Sequence, residues 1–158
     1  EFDIHPYFVK AFKKRWYVVA YSPGTNDIRC YALDRMENVI ISDKVFKMPK
    51  DLEPAEYFKD CFGIINNKDS EVQKVVLKVD AFQSNYIRNL PLHESQKEMK
   101  RTDEYSIFEY HLKPEFDFEQ EIFSNMDTME VLEPQWLREE VSERLRNLAK
   151  KYKICPSS

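Results

Sequence analysis

Glycine is almost missing from this chain of 158 residues, which contains only Gly24 and Gly63. Glycine-rich phosphate loops and dinucleotide-binding fingerprints each need several closely spaced glycines, so most nucleotide-dependent enzymes are excluded. The three cysteines, Cys30, Cys61 and Cys155, are odd in number and widely spaced, and none belongs to a Cys-x-x-Cys pair. This pattern argues against a disulfide framework and against a zinc site, and it predicts a reducing cytoplasm as the location.

Long apolar runs are also missing, because no stretch approaches the roughly 18 residues that a membrane-spanning helix requires. No signal-peptide pattern is present. The chain is nevertheless 42% apolar and contains 11 Phe, 9 Tyr and 2 Trp. Such a composition predicts a compact globular chain with no membrane partner.

Basic and acidic residues are unevenly distributed along the chain. Residues 1–50 hold nine Lys and Arg against six Asp and Glu, whereas 51–158 hold fifteen against twenty-two. Within the second part, 115–133 carries seven acids and no Lys or Arg. The basic half and the acidic half are therefore expected to meet different partners, unless both charge runs are simply solvated surface.

The polar stretch 66–70 divides the chain into two predicted domains, 1–65 and 71–158. The first domain is predicted to be a small β-meander closed by a helix over 54–62, because short runs of β-branched and aromatic residues alternate with turn-like segments. The four predicted strands of the meander are 5–10, 16–21, 28–33 and 38–42.

The second domain is predicted to follow the order βαββαβ, which is the ferredoxin-like arrangement. Its predicted elements are strand 72–79, helix 82–90, strand 92–100, strand 104–113, helix 116–123 and strand 128–132. Phe82, Tyr86, Ile87 and Leu90 recur at helical spacing and are assigned to the core. The predicted fold class is thus α+β.

A last helix is predicted over 134–152, with a proline at its start and basic residues in its final turns. Its apolar stripe consists of Leu137, Val141, Leu145, Leu148 and Tyr152. The stripe fits either packing on the sheet or a helix contact between subunits, and the sequence does not separate the two.

The sequence contains no recognisable catalytic motif. The three histidines, His5, His93 and His111, stand in no recognisable nucleophile or metalloprotease context. The sequence therefore predicts a protein that is not an enzyme, with no catalytic residues, no metal ligands and no cofactor.

Groups suited to an anionic or aromatic ligand are concentrated near the start of the chain. Arginine offers bidentate contacts to phosphate or carboxylate, and aromatic rings offer stacking surfaces for bases. Alternation along the strand 28–33 places Arg29 on the same face as Tyr31. The residues of this group are His5, Tyr7, Lys10, Arg15, Trp16, Tyr17, Arg29, Tyr31 and Arg35.

Three ordered segments resemble the WYL domain: 5–9 (HPYFV), 15–21 (RWYVVAY) and 29–36 (RCYALDRM). The Trp-Tyr-Leu triplet that names this family reads Trp16-Tyr17-Val18 here, and 71–152 resembles the extension that often follows the domain. The resemblance implies an Sm-like small β-barrel that senses a ligand in bacterial transcriptional regulators, with a nucleotide or single-stranded nucleic acid as ligand. It singles out Trp16, Tyr17, Arg29 and Arg35, then His5, Tyr7 and Arg15, and it expects Asp34 to order Arg35.

Two elements of the family pattern are expected to be missing from the chain. The barrel lacks its first strand before Glu1, and the winged helix-turn-helix that would read operator DNA is absent. A barrel short of one strand exposes an edge that some other element has to cover. The chain is thus interpreted as the sensor part of a regulator that acts as a homodimer. The alternative is a protein-interaction or dimerisation module that binds no small ligand.

Overall fold

A computed structural model of the protein describes residues 2–154, so Glu1 and residues 155–158, including Cys155, lie outside the description. The chain divides into two compact units. The first unit runs up to Lys59 and includes Gly63–Asn66, and the second contains Asp60–Phe62 and the chain from Asn67 onward. None of the helices in the described range combines the length and the apolarity that crossing a bilayer needs.

The first unit contains a three-stranded antiparallel sheet in the order β1-β2-β3, followed by a short helix. The turn between β1 and β2 is only Lys13 and Lys14, and both have positive φ (44° and 63°), as a two-residue hairpin of the favoured twist requires. A single 3-10 turn, Leu33–Arg35, follows β3 directly. The elements are β1 (His5–Phe12), β2 (Arg15–Ser22), β3 (Asp27–Ala32) and α1 (Pro54–Phe58).

The predicted fourth strand over 38–42 is wrong. Asn38 adopts φ 51°, a left-handed conformation that interrupts an extended strand, and the hydroxyl of Ser42 accepts a hydrogen bond from the backbone N–H of Lys44. Further along, the ring of Phe46 stacks on His5 with 4.8 Å between ring centroids, and the Lys44 ammonium pairs with the Asp3 carboxylate. These local contacts hold the segment at the start of β1, and no ladder forms beside β3.

The second unit has a four-stranded sheet in the order β5-β6-β4-β7 with every neighbouring pair antiparallel. This order is that of the ferredoxin-like fold, so the predicted α+β class and the βαββαβ order with a C-terminal helix are confirmed. The elements are β4 (Gln73–Asp80), α2 (Ala81–Asn89), β5 (Lys97–Arg101), β6 (Tyr105–Leu112), α3 (Phe116–Ser124), β7 (Met129–Glu133) and α4 (Gln135–Lys151).

One face of this sheet and the helices enclose the hydrophobic core of the second unit. Alternate residues of β4 point into it, as the two-residue period of a strand requires, and they are fully buried together with the aromatic rings of β6. The largest fully buried side chains in this core are Tyr110, Phe108, Phe118, Leu77, Ile87, Leu112, Ile122 and Leu137.

Part of the predicted core of α2 lies at the surface instead. Ile87 is buried, but Phe82, Tyr86 and Leu90 are 71%, 57% and 78% exposed. The buried position next to Ile87 is taken by Ser84, whose hydroxyl donates a hydrogen bond to the carbonyl of Val79 at 3.0 Å. Because residues 82 and 86 lie roughly opposite Ser84 around a 3.6-residue helix, the large side chains point away from the sheet.

Two further predictions are only partly correct. Residues 92–96 form a loop before β5, because the side-chain oxygen of Gln96 accepts a hydrogen bond from the backbone N–H of Leu92 at 3.0 Å. Along α4, the stripe divides: Leu137 and Val141 are buried in the core, whereas the later members, Leu145, Leu148 and Tyr152, are exposed.

Candidate functional site

The two faces of the first sheet have different surroundings. Phe8, Val19 and Cys30 share one face through direct cross-strand pairing, and the ring of Phe8 packs edge-on against Phe58 of α1 with 6.2 Å between centroids. Lys10, on the same face, places its ammonium 3.6 Å from the centre of the Phe58 ring. This face is therefore covered by α1.

The opposite face, which we call the Trp16–Arg29 face, carries Trp16, Val18 and Ala20 of β2 together with Arg29 and Tyr31 of β3. Ala20 pairs with Arg29 and Val18 pairs with Tyr31, so these side chains stand side by side. Trp16 is 58% exposed and Arg29 is also exposed, whereas Val18 and Ala20 between them are buried. The face thus presents a cation and aromatic rings around a floor of small apolar side chains.

Three of the predicted ligand-binding residues, Trp16, Arg29 and Tyr31, meet on the Trp16–Arg29 face, while the rest lie elsewhere. By alternation along β2, Arg15 and Tyr17 point to the face that α1 covers.

His5 pairs with Tyr21 on that same face. Tyr7 lies at the β-bulge of β1, where burial raises the pKa of its phenol above the usual value. Arg35 ends the 3-10 turn after β3.

His5 and Tyr7 belong to an aromatic cluster that holds the chain between the 3-10 turn and α1. Besides stacking on Phe46, the His5 ring lies 5.5 Å from the ring of Tyr21, and the Tyr7 ring lies 6.2 Å from that of Phe46. Aromatic rings at these separations contribute packing energy beyond the area that they bury. The geometry gives both residues a packing role in the first unit.

Asp34 forms an ion pair that differs from the one expected from the sequence. Its carboxylate pairs with Arg15, at 3.1 Å from Nε, so the expected pairing with Arg35 is wrong. Neither Arg29 nor Arg35 has an ion-pair partner within residues 2–154. Since Asp34 follows β3 and Arg15 begins β2, the two strand ends bring these charges together. The guanidinium groups of Arg29 and Arg35 therefore remain available for an anionic ligand.

A second concave feature, which the sequence analysis did not single out, lies in the second unit. It is a cleft of about 460 Å³ lined by Asp69, Ser70, Glu71, Gln73, Pro114, Glu115, Glu119 and Trp136. The indole N–H of Trp136 donates a hydrogen bond to Gln73 at 2.8 Å. Burial, and then the nearby Glu140, raise the pKa of the Glu119 carboxyl above its usual value. The cleft was missed because its residues come from the segment before β4, the start of β4, the residues before and within α3, and α4, and share no motif.

No cluster of three or more potential metal ligands occurs among the described residues. Of the two cysteines within residues 2–154, Cys61 is buried, and the Cys30 thiol donates a hydrogen bond to the carbonyl of Ile64 at 3.2 Å. Both behave as small core side chains.

Two family models match the sequence. The WYL domain model matches residues 1–41, and the WCX domain model matches residues 71–149, which is half of the chain. No curated protein matches it. Among solved structures, proteasome accessory factor B/C (PafBC) of Arthrobacter aurescens is similar over 98% of this chain, with 18% sequence identity and a TM-score of 0.42. The chain spans 23% of the length of that protein.

Proposed function

Because the chain belongs to the family of proteins in which a WYL domain is followed by a WCX domain, we propose that it is the ligand-sensing part of a bacterial transcriptional regulator. In this proposal an anionic ligand, a nucleotide or a short single-stranded nucleic acid, binds on the Trp16–Arg29 face. The protein works in the cytoplasm without catalysing a reaction. Operator DNA is bound by another part of the regulator.

The observation that carries the proposal is that Arg29 is exposed, shares one sheet face with Tyr31 and Trp16, and pairs with no carboxylate within residues 2–154. A guanidinium can hold a phosphate through two parallel hydrogen bonds, and an exposed indole can stack on a base whatever its sequence. Between Arg29 and Trp16 on this face lie the buried side chains of Ala20 and Val18. A ligand with a phosphate and a planar base would therefore meet both kinds of contact on one face.

We propose further that the sensor acts as a homodimer whose arrangement changes with ligand. A ligand shifts such an equilibrium only by the difference between its affinities for the two arrangements. A ligand that contacts one sheet face thus has to alter a subunit contact elsewhere on the chain. This coupling is the property that would make the chain a sensor and not merely a binding protein.

A second candidate function is a protein-interaction module without a small ligand, and one observation favours it. Phe82 and Tyr86 of α2 and Leu90 just after it are exposed apolar side chains, with 5.3 Å between the ring centroids of Phe82 and Tyr86. Large exposed apolar patches mark protein contacts in soluble proteins. This candidate predicts that substitutions on α2 weaken partner binding while Arg29 is dispensable.

The proposal is tested by titrating short single-stranded DNA and RNA, and single nucleotides, against the intrinsic tryptophan fluorescence. The chain offers a matched pair for this purpose, because Trp16 lies on the proposed face and Trp136 lies in the second unit. With Trp136→Phe, the remaining signal comes from Trp16 and should be quenched by the ligand in a saturable and salt-sensitive way.

The reciprocal variant, Trp16→Phe, is the control. It retains only the Trp136 signal, which should change little on addition of the same ligand. If neither variant responds to any of the nucleic acids or nucleotides while both remain folded, the ligand proposal is wrong. Quenching of Trp136 alone would move the binding site to the second unit.

A further inference from the structure

The cleft of about 460 Å³ in the second unit has a strongly acidic lining. Four of the residues that line it are carboxylates, and none of them is Lys or Arg. All of the lining residues belong to the second unit, and the volume lies within the range of small-molecule sites in proteins. The carboxylates are Asp69, Glu71, Glu115 and Glu119. A ligand that complements this cleft therefore carries positive charge.

Glu119 is the most buried of these carboxylates, at 9% exposed, and its charge is only partly balanced. One of its oxygens lies 3.4 Å from the Arg144 guanidinium, which makes a shorter contact of 3.0 Å with Glu140. Two carboxylates thus share one guanidinium. Burial, and then Glu140, raise the pKa of Glu119 above its usual value, because a buried negative charge without a full countercharge is costly. A bound cation would supply that countercharge.

The three remaining carboxylates of the lining are less buried than Glu119. Glu115 accepts a hydrogen bond from the hydroxyl of Ser70. In the part of the chain that the structure describes, Asp69, Glu71 and Glu115 form no ion pair. Carboxylates that line one concave surface add their fields there and raise the local concentration of cations.

The placement of the carboxylates favours an extended cation over a metal ion. Calcium and magnesium need several oxygen ligands that converge on one point at about 2.0–2.6 Å. Among the described residues, no three Asp, Glu, His or Cys side chains come together closely enough to hold a metal ion. The negative charges are therefore spread along the cleft. Such a spread matches a ligand whose positive charges are separated by several bonds.

Trp136 gives the cleft an aromatic wall. Its indole N–H donates a hydrogen bond to Gln73 at 2.8 Å, which fixes the ring while 41% of the residue stays exposed. An ammonium group is attracted to the face of an indole, and methylene groups leave water when they lie against it. Trp136 therefore suits an alkylammonium ligand better than an inorganic ion.

We propose that this cleft binds an aliphatic polyamine. One ammonium group pairs with Glu119, another pairs with a carboxylate nearer the surface, and the methylene chain between them lies against Trp136. The site is separate from the Trp16–Arg29 face, because it consists entirely of residues of the second unit. The chain would then offer an anion site in its first unit and a cation site in its second.

The test is a titration of the full chain with spermidine in a Trp16→Phe background, where Trp136 is the only tryptophan. Spermidine should change the Trp136 emission in a saturable way. It should bind at least about tenfold more tightly than n-propylamine, because a single ammonium group cannot reach two separated carboxylates at once. Magnesium chloride at the same concentration should displace little of the bound spermidine.

Three variants in the same background locate the binding site. Glu119→Gln removes the buried charge with little change of shape and should raise the Kd for spermidine about tenfold. Glu71→Gln lies at an exposed position and should raise it about threefold, so it tests the site even where the buried substitution perturbs the fold. Glu143→Gln removes an exposed carboxylate of α4 outside the cleft and is the matched control, with an unchanged Kd.

Several results overturn the proposal. One is the lack of a saturable response to spermidine, and another is a Kd that neither Glu119→Gln nor Glu71→Gln changes. Equal weakening by Glu71→Gln and Glu143→Gln would make binding a general effect of charge. Displacement by equimolar magnesium, or tighter binding of trilysine, would assign the cleft to a metal ion or a basic peptide instead. The assay contains no nucleic acid and no Trp16, so its outcome does not depend on the ligand proposed for the first unit.

Discussion

Replacing Arg29 separates the proposed ligand site from the stability of the fold. The guanidinium is exposed and has no ion-pair partner within residues 2–154, so Arg29→Ala should change the free energy of unfolding by less than about 0.5 kcal/mol. A phosphate bound by this group would lose a charge-assisted contact. Because the group is screened by solvent, we expect a cost of about 1–2 kcal/mol, which raises Kd about 5- to 30-fold.

The assay is fluorescence anisotropy of a labelled single-stranded oligonucleotide, measured at several salt concentrations. Loss of one phosphate contact should also reduce the slope of log K against log salt by about 0.7. Arg29→Lys keeps the charge and loses the planar pair of donors, so its affinity should lie between those of the wild type and Arg29→Ala.

The matched control is Arg146→Ala, which removes an exposed arginine of α4 in the second unit. It changes the net charge by the same amount as Arg29→Ala. If the two alanine variants weaken binding equally, the effect is a general one of charge and the reasoning about the Trp16–Arg29 face is refuted. An unchanged Kd for Arg29→Ala would refute it as well.

Three further predictions concern the second unit. Phe82→Ala should leave the midpoint of urea unfolding within error of the wild type, whereas Ile87→Ala, which removes a buried side chain of the same helix, should cost about 2–5 kcal/mol. The hydrogen bond from Arg88 lowers the pKa of Glu98 from its usual 4.5 to about 2, so the pair stabilises the fold above pH 4.5 and loses this contribution as the pH falls from 4.5 to 2. Glu98→Gln should flatten that part of the curve of stability against pH. Tyr110→Phe removes the phenol that donates to Gln96 at 3.1 Å, and should cost about 1 kcal/mol in a thermal melt.

The candidate site was partly predictable because strand alternation is a local property. The two-residue period places Arg29 and Tyr31 on one face whatever the rest of the fold does, and the structure keeps them there. Trp16 joins them only through the register between β2 and β3. That register depends on the turn at 22–27, where the phenol of Tyr21 donates a hydrogen bond to Asn26. The family motif grouped Trp16 with Tyr17, although alternation along β2 places them on opposite faces.

Helical periodicity proved weaker evidence for burial. The spacing of Phe82, Tyr86 and Leu90 is that of one helix face, and their size favoured a place in the core. The packed face of α2 instead contains Ser84, whose small side chain allows the helix to approach β4 and bond to Val79. Periodicity identifies a face but not the direction in which it points, because that direction depends on the neighbouring element.

The sequence by itself determined the α+β class, the order of the elements in the second unit and the gathering of arginine and aromatic residues near the start of the chain. These features follow from local patterns of polarity and from composition. Only the tertiary structure decided that Asp34 pairs with Arg15, that Val39–Ser42 remains outside the sheet and that the large side chains of α2 face solvent. Each of these depends on which distant residues the fold brings within a few ångströms, and no local pattern in the chain encodes that distance.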